Sequence, residues 1–113
     1  MGYIDLYLLP VREDRIEEYR EQASTFGAVA KEKGALSYRE FRADDLGDGF
    51  AGSAGPGLLL TSAVVEFESR AHRDAVMEQV LADPRVVGMT DAEPTTADMS
   101  QMRYGGFETF VEA

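Results

Sequence analysis

Leu58-Leu59-Leu60-Thr61-Ser62-Ala63-Val64-Val65-Glu66-Phe67 is the stretch that decides the fold. Seven of these ten residues are apolar, and they form a nearly continuous run instead of alternating. A run of strand length, rich in valine and leucine and bounded by turn residues, reads as a central strand covered on both faces. Ahead of it, Asp44–Gly57 (DDLGDGFAGSAGPG) is rich in glycine and reads as a turn or mobile loop. No Gly-Lys-Ser/Thr follows and no helix begins at its end, so it is not a phosphate loop.

Working outward, Ala35–Ala43 predicts a second strand of mixed polarity. Glu13–Lys33 predicts a long helix whose apolar stripe is Ile16, Tyr19, Ala23, Phe26 and Ala30. Glu13 and Asp14 start it and Lys31 and Lys33 end it, each with the charge that its dipole favours. Gly34 stops it. Gly27 inside it, weaker than alanine by about 1 kcal/mol, marks close packing on the sheet. Tyr3–Leu9 predicts a strand, ended by Pro10. On the other side, Ser69 caps a helix over Arg70–Ala82, and Asp83-Pro84 ends it and opens a short one. Gly88–Ser100 reads as a loop, and Gln101–Val111 as a last strand in which Gly105-Gly106 suggests a bulge, a bend or a close backbone approach.

The order is strand, helix, strand, strand, helix, strand. It predicts a single α+β domain over residues 1–113, a ferredoxin-like βαββαβ unit with a four-stranded antiparallel sheet and both helices on one face. The uncovered face is apolar, because the first and third strands are apolar on both sides. A second copy is the simplest cover, so a homodimer is expected.

Composition excludes much chemistry. With no cysteine and one histidine, His72, among 113 residues, disulfides, thiolate chemistry and a multi-histidine metal site are ruled out, and no metal or cofactor is expected. Twenty-one acidic against eleven basic residues give a net charge of −10, which repels nucleic acid and anionic membranes. The first residues, MGYIDLYLLPVRED, lack the basic start and long apolar core of a signal peptide, and no run approaches a membrane span, which predicts a cytoplasmic protein.

The segment Met102–Glu108 (MRYGGFE) resembles the closing signature of the YbaA-like bacterial proteins, a family of unknown function. Glu40, Asp45, Asp48-Gly49, Glu66, Ser69, Arg73-Asp74-Ala75, Asp83-Pro84-Arg85 and Asp98 match in order over nearly the whole chain. The resemblance implies a dimeric α/β barrel, in which two ferredoxin-like sheets face each other with the helices outside. The chain departs from the family where a Cys-Trp pair is usual (here Phe41-Arg42), where Ser-Trp is usual (Ala63-Val64) and where Met-Pro-Phe-Asp is usual (Thr95–Asp98). No catalytic residue is established for the family, so none carries over.

Asp5, Glu40, Glu66 and Glu108 are carboxylates within strands, and Arg39, Arg42 and Arg103 in neighbouring strands offer ordinary ion pairs. Tyr3, Tyr7, Tyr38 and Tyr104 place phenols on the sheet, where they suit either a ligand or an interface. His72, in a first helical turn, reads as a surface residue. There is no Gly-x-Ser-x-Gly elbow and no calcium loop. Glu40 and Tyr104, both on family-matching positions, are the candidate ligand-binding pair. The expected function is binding of a small molecule or a partner protein without catalysis. The alternative is a cofactor-independent enzyme, monooxygenase- or isomerase-like, working on a small organic substrate between sheet and helices.

Overall fold

The computed structural model describes residues 2–90 and 96–113. Strand β1 is Tyr3–Arg12, helix α1 Ile16–Lys33, β2 Ser37–Arg42, β3 Leu58–Phe67, α2 Arg70–Ala82, α3 Pro84–Thr90 and β4 Arg103–Glu108. The sheet order is β2-β3-β1-β4 and every pair is antiparallel. This is the α+β ferredoxin-like arrangement. One chain's sheet stays open, with β2 and β4 as its edges, so a barrel needs a second sheet.

Alternation explains the two-sided hydrophobicity of the central strands. Tyr3, Val65 and Phe67 turn toward the helices and join Val29 and Ala30 of α1 and Val76 and Val80 of α2 in the main core. The other face carries Ile4, Leu6, Leu8 and Val64, all partly exposed, with Phe41 and Phe107 about half exposed. Gly27 does mark close packing, since a side chain there would meet the Tyr38 ring at 2.5 Å.

Several boundaries differ from the sequence reading. Pro10 does not end β1, which continues to Arg12. The Pro10 carbonyl accepts the Asp98 N–H at 2.9 Å on the β4 side, so its nitrogen faces that side too. Beta-4 pairs only as far as Leu8 opposite Arg103, and no ladder bond is lost there. Ala35 lies just past the Gly34 cap of α1, its N–H bonded back to the Ala30 carbonyl at 2.9 Å, so β2 starts later, at Ser37. Gly88–Thr90 are helical, in α3, and Met99–Gln101 form a 3-10 turn, so the predicted loop is shorter at both ends; Thr95 lies outside the described residues. Gly105 and Gly106 stay in register opposite Leu6 and Asp5, with no bulge.

The Asp83-Pro84-Arg85 motif is a helix junction. Asp83 accepts the Arg85 backbone N–H at 2.9 Å and the Arg85 guanidinium at 3.0 and 2.9 Å, and Arg85 also reaches Glu32 of α1. These bonds hold the Asp83 carboxyl well below the usual range, with Lys33 adding to the pull at 3.6 Å.

Candidate functional site

One row of paired residues crosses the whole sheet on the helix-covered side. Glu40 of β2 lies opposite Ala63 of β3, Ala63 opposite Tyr7 of β1, and Tyr7 opposite Tyr104 of β4. The two residues singled out from the sequence therefore share a face and a row, at its two ends, roughly 14 Å apart by strand spacing. They do not touch. Between them the small Ala63 side chain leaves room, and a cavity of about 470 Å³ opens between the row and the helices.

The walls of this cavity are mostly apolar. Phe26 comes from α1, Met77 and Leu81 from α2, Val86 and Met89 from α3. Met99 and Met102, before β4, add to them, so all four methionines among the described residues line the space. Thioether side chains adapt their shape to a guest and make favourable contacts with aromatic rings. Tyr104, 70 % exposed, stands at one end and stacks on Tyr7 at 5.8 Å between ring centroids.

At the other end Glu40 is held by two phenols. The Tyr19 hydroxyl donates to Oε1 at 2.6 Å and the Tyr38 hydroxyl donates to Oε2. Burial, and then the neighbouring carboxylate, push both phenols far above their ordinary value, while Tyr7 is pushed up to about 12, chiefly by burial. All three stay protonated around neutrality. An ionised carboxylate offers about four acceptor positions, and the phenols occupy two. Glu40 thus keeps acceptor capacity toward the cavity, and no lysine or arginine contacts it among the described residues. A more open groove of about 650 Å³, between α1 and β2, shares Tyr19, Tyr38, Glu40 and Thr61 with the cavity and is edged by Arg20, Lys31, Arg39 and Arg42.

The other strand carboxylates differ. Asp5, only 4 % exposed, accepts the Arg73 guanidinium of α2 at 2.6 Å, and Arg73 also reaches the Tyr3 hydroxyl at 3.2 Å and Asp74 at 2.7 Å. Burial raises the Asp5 carboxyl above its ordinary value, and Arg73 pulls part of that back. The Tyr3 ring needs Gly106, because a Cβ there would overlap its hydroxyl. Glu66 takes the Ser37 hydroxyl at 3.1 Å on an exposed surface, and Glu108 is exposed. His72 is half-buried: its Nδ1 accepts the Glu68 N–H at 3.0 Å, and its own N–H donates to the capping Ser69 at 3.1 Å. Among the described residues no group of three or more histidines or carboxylates gathers as a metal site. No described helix is long and apolar enough to cross a membrane.

Tyr19 is the site residue that the sequence reading left in the helix stripe. Its signal was a phenol on an otherwise apolar face, which needs a polar partner once buried.

The family described as "Protein of unknown function (DUF1428)" matches residues 2–99. The chain belongs to the DUF1428 family. Its relative YbaA, an uncharacterised protein of Escherichia coli K12, is 31 % identical over 118 residues, covering 99 % of each chain. Among solved structures, a dimeric ferredoxin-like protein from an uncultured marine organism superimposes on this DUF1428 chain with a TM-score of 0.61 at 13 % identity, covering 99 % of this chain and 98 % of that one. SnoaB, a cofactor-independent oxygenase from Streptomyces nogalater, has a TM-score of 0.61 at 12 % identity, covering 98 % and 95 %. At such identities the likeness shows the fold alone.

Proposed function

We propose that this DUF1428 protein binds a small, largely apolar organic molecule between sheet and helices, in a homodimer whose open sheet faces meet. The observation that carries the ligand reading is Glu40: a carboxylate held only by neutral phenols, with acceptor positions left over, at the end of an apolar cavity of about 470 Å³. Apolar walls with a few convergent polar groups are the usual make-up of a small-molecule site. A ligand with a hydroxyl or other N–H or O–H donor suits Glu40, and its far end reaches the Tyr7–Tyr104 stack. A carboxylate-bearing end would meet like charge at Glu40 and is disfavoured.

The dimer reading rests on the apolar open face. Ile4, Leu6, Leu8, Val64 and Phe107 form an apolar stripe along that face, all at least partly exposed, with Glu66, Arg39 and Arg103 around it, and a contiguous apolar surface of this kind marks an interaction face. A specific contact of at least about 1,000 Å² is expected, and light scattering at micromolar concentration should show a dimer.

A second reading has its own support. The same carboxylate can take a proton from a bound donor, which is general-base chemistry requiring no cofactor, and the cofactor-independent oxygenase SnoaB shares the fold.

Thermal-shift measurements with small hydroxylated organic compounds test the ligand reading. A ligand at about 100 times its dissociation constant adds about 2.7 kcal/mol of stability, a rise of several degrees for a domain of this size. The rise should fall to about half or less in Glu40→Gln, for binding at least tenfold weaker, and shrink in Tyr104→Ala. Ligands that stabilise both variants as well as the parent would show that the cavity is not the site. Turnover of a stabilising compound, lost in Glu40→Gln with binding retained, would establish the catalytic reading.

A further inference from the structure

We propose that the cavity holds its guest at a second point, the Tyr7 hydroxyl, and that the guest is a neutral hydroxy-carbonyl compound: its hydroxyl donates to Glu40 and its carbonyl oxygen accepts from Tyr7. This rests on the ligand reading above and adds to it the acceptor group that the guest carries.

The polar side chains that line the cavity are mostly spent on one another. The Tyr19 and Tyr38 hydroxyls donate to Glu40. The Thr61 hydroxyl donates to the Leu9 carbonyl at 2.9 Å. The Thr96 hydroxyl donates to Gln22 Oε1 at 2.7 Å, which leaves the N–H groups of that amide free. Besides the exposed Tyr104, the donors that remain are the Gln22 amide and the Tyr7 hydroxyl, which makes no hydrogen bond to the described residues. Nor is the Tyr7 hydroxyl sealed in. Among the described residues, no fully buried side-chain oxygen or nitrogen lacks a partner, so this unpartnered oxygen keeps contact with the space that its ring lines. A tyrosine hydroxyl that is largely buried normally finds a partner, and here the cavity is where one can stand.

Of the two free donors, Tyr7 is the fixed one. Its ring stacks on Tyr104 at 5.8 Å between centroids. Burial pushes the phenol up to about 12, so it carries its proton around neutrality. It lies in the same row as Glu40 with only Ala63 between them, about 10 Å away along the row by strand spacing. A guest lying over Ala63 therefore meets a charged acceptor at one end and a neutral donor at the other. The guest's own acceptor is an uncharged oxygen for a reason of charge. Glu40 is the only charged side chain that lines the cavity among the described residues. A carboxylate or phosphate would enter without a cation to meet it and beside a like charge. A ketone, ester or amide oxygen brings the acceptor without that cost.

Three related probes separate the two anchors. Para-hydroxyacetophenone carries both groups, para-ethylphenol the hydroxyl alone and acetophenone the carbonyl alone. Their dissociation constants are measured by chemical-shift titration at up to millimolar concentration, in the parent, Tyr7→Phe and Glu40→Gln. The expected result is that para-hydroxyacetophenone binds the parent about fivefold more tightly than para-ethylphenol, as one hydrogen bond of ordinary strength contributes. Tyr7→Phe, which keeps the ring and its stack, should erase that advantage and leave para-ethylphenol unchanged. Equal binding of those two probes by the parent, or an advantage that survives in Tyr7→Phe, overturns the second anchor and leaves the Glu40 reading standing. Acetophenone binding as tightly as para-hydroxyacetophenone, with no effect of Glu40→Gln, overturns the Glu40 reading and the proposal with it, and so does the absence of binding by all three. A measurement without any guest checks the premise. Because the Tyr7 hydroxyl has no partner in the fold, Tyr7→Phe should melt within about three degrees of the parent. A larger fall would mean that the hydroxyl is spent on the fold, and would overturn the proposal.

Discussion

Asp5 and Glu40 are both carboxylates on the helix-covered face of one sheet, and their surroundings make them different objects. Asp5 is buried against a guanidinium, and neither cavity touches it. Its charge is balanced by Arg73, and neither cavity gives a guest access to it. Glu40 is held by two neutral phenols and borders open space on two sides. A neutral donor orients a carboxylate without cancelling its charge. A strand carboxylate is therefore informative about function only once its partners are known, and in both cases one of them comes from a helix, Arg73 of α2 or Tyr19 of α1.

The comparison can be broken most sharply at Arg73. Arg73→Ala leaves Asp5 buried without its cation and should cost roughly 3 kcal/mol at pH 7, the low end for a broken buried pair because Arg73 keeps some solvent contact; replacing both residues by leucine should cost less. Without Arg73 the Asp5 carboxyl rises further above its ordinary value. A carboxyl raised in the folded state favours folding at low pH and loses that contribution as pH climbs through the folded value. The deficit of Arg73→Ala should therefore shrink between pH 8 and pH 4, measured by urea unfolding at each pH. Gly106→Val displaces the Tyr3 ring that helps to hold Arg73, and should lower the melting temperature by several degrees, as expected for roughly 1–3 kcal/mol. An unchanged melting temperature would mean that the Asp5 site tolerates rearrangement. Glu40→Gln should behave in the opposite way: stability within about 1 kcal/mol of the parent, but any ligand bound at least tenfold more weakly. The smallest effect is expected at Asp83→Asn. The depressed Asp83 carboxyl stabilises the fold above the usual carboxylate range and loses that contribution as pH falls through its folded value, so parent and variant should begin to converge only below about pH 4 and meet well below it.

Much of this was legible along the chain, and the legible parts share a cause. Beta-3 and α2 begin and end where local chemistry puts them, at glycine-rich and serine-capped boundaries. Pro10 misled because the cost of a missing N–H depends on what lies opposite, and β4 stops short of it. Gly105-Gly106 misled as to a bulge or bend, but Gly106 does mark a close approach, to the Tyr3 ring of the neighbouring strand. Glu40 and Tyr104 could be placed on one face by strand parity, yet their actual neighbours could not be named. Tyr19 reaches Glu40, and Arg73 reaches Asp5, only through the way that each helix settles on the sheet, and His72 acquires its acceptor role from the turn before its helix.

The methionine lining has a consequence for how the protein meets oxidants. Among the described residues, all the sulfur lies in one cavity wall. Conversion to sulfoxide would turn apolar wall into polar, chiral wall, so peroxide exposure should spoil the cavity before it harms the sheet. A resident guest would shield the thioethers, and peptide mass spectrometry of sulfoxide at Met77, Met89, Met99 and Met102 becomes a built-in footprint of occupancy that needs no label and no knowledge of the guest.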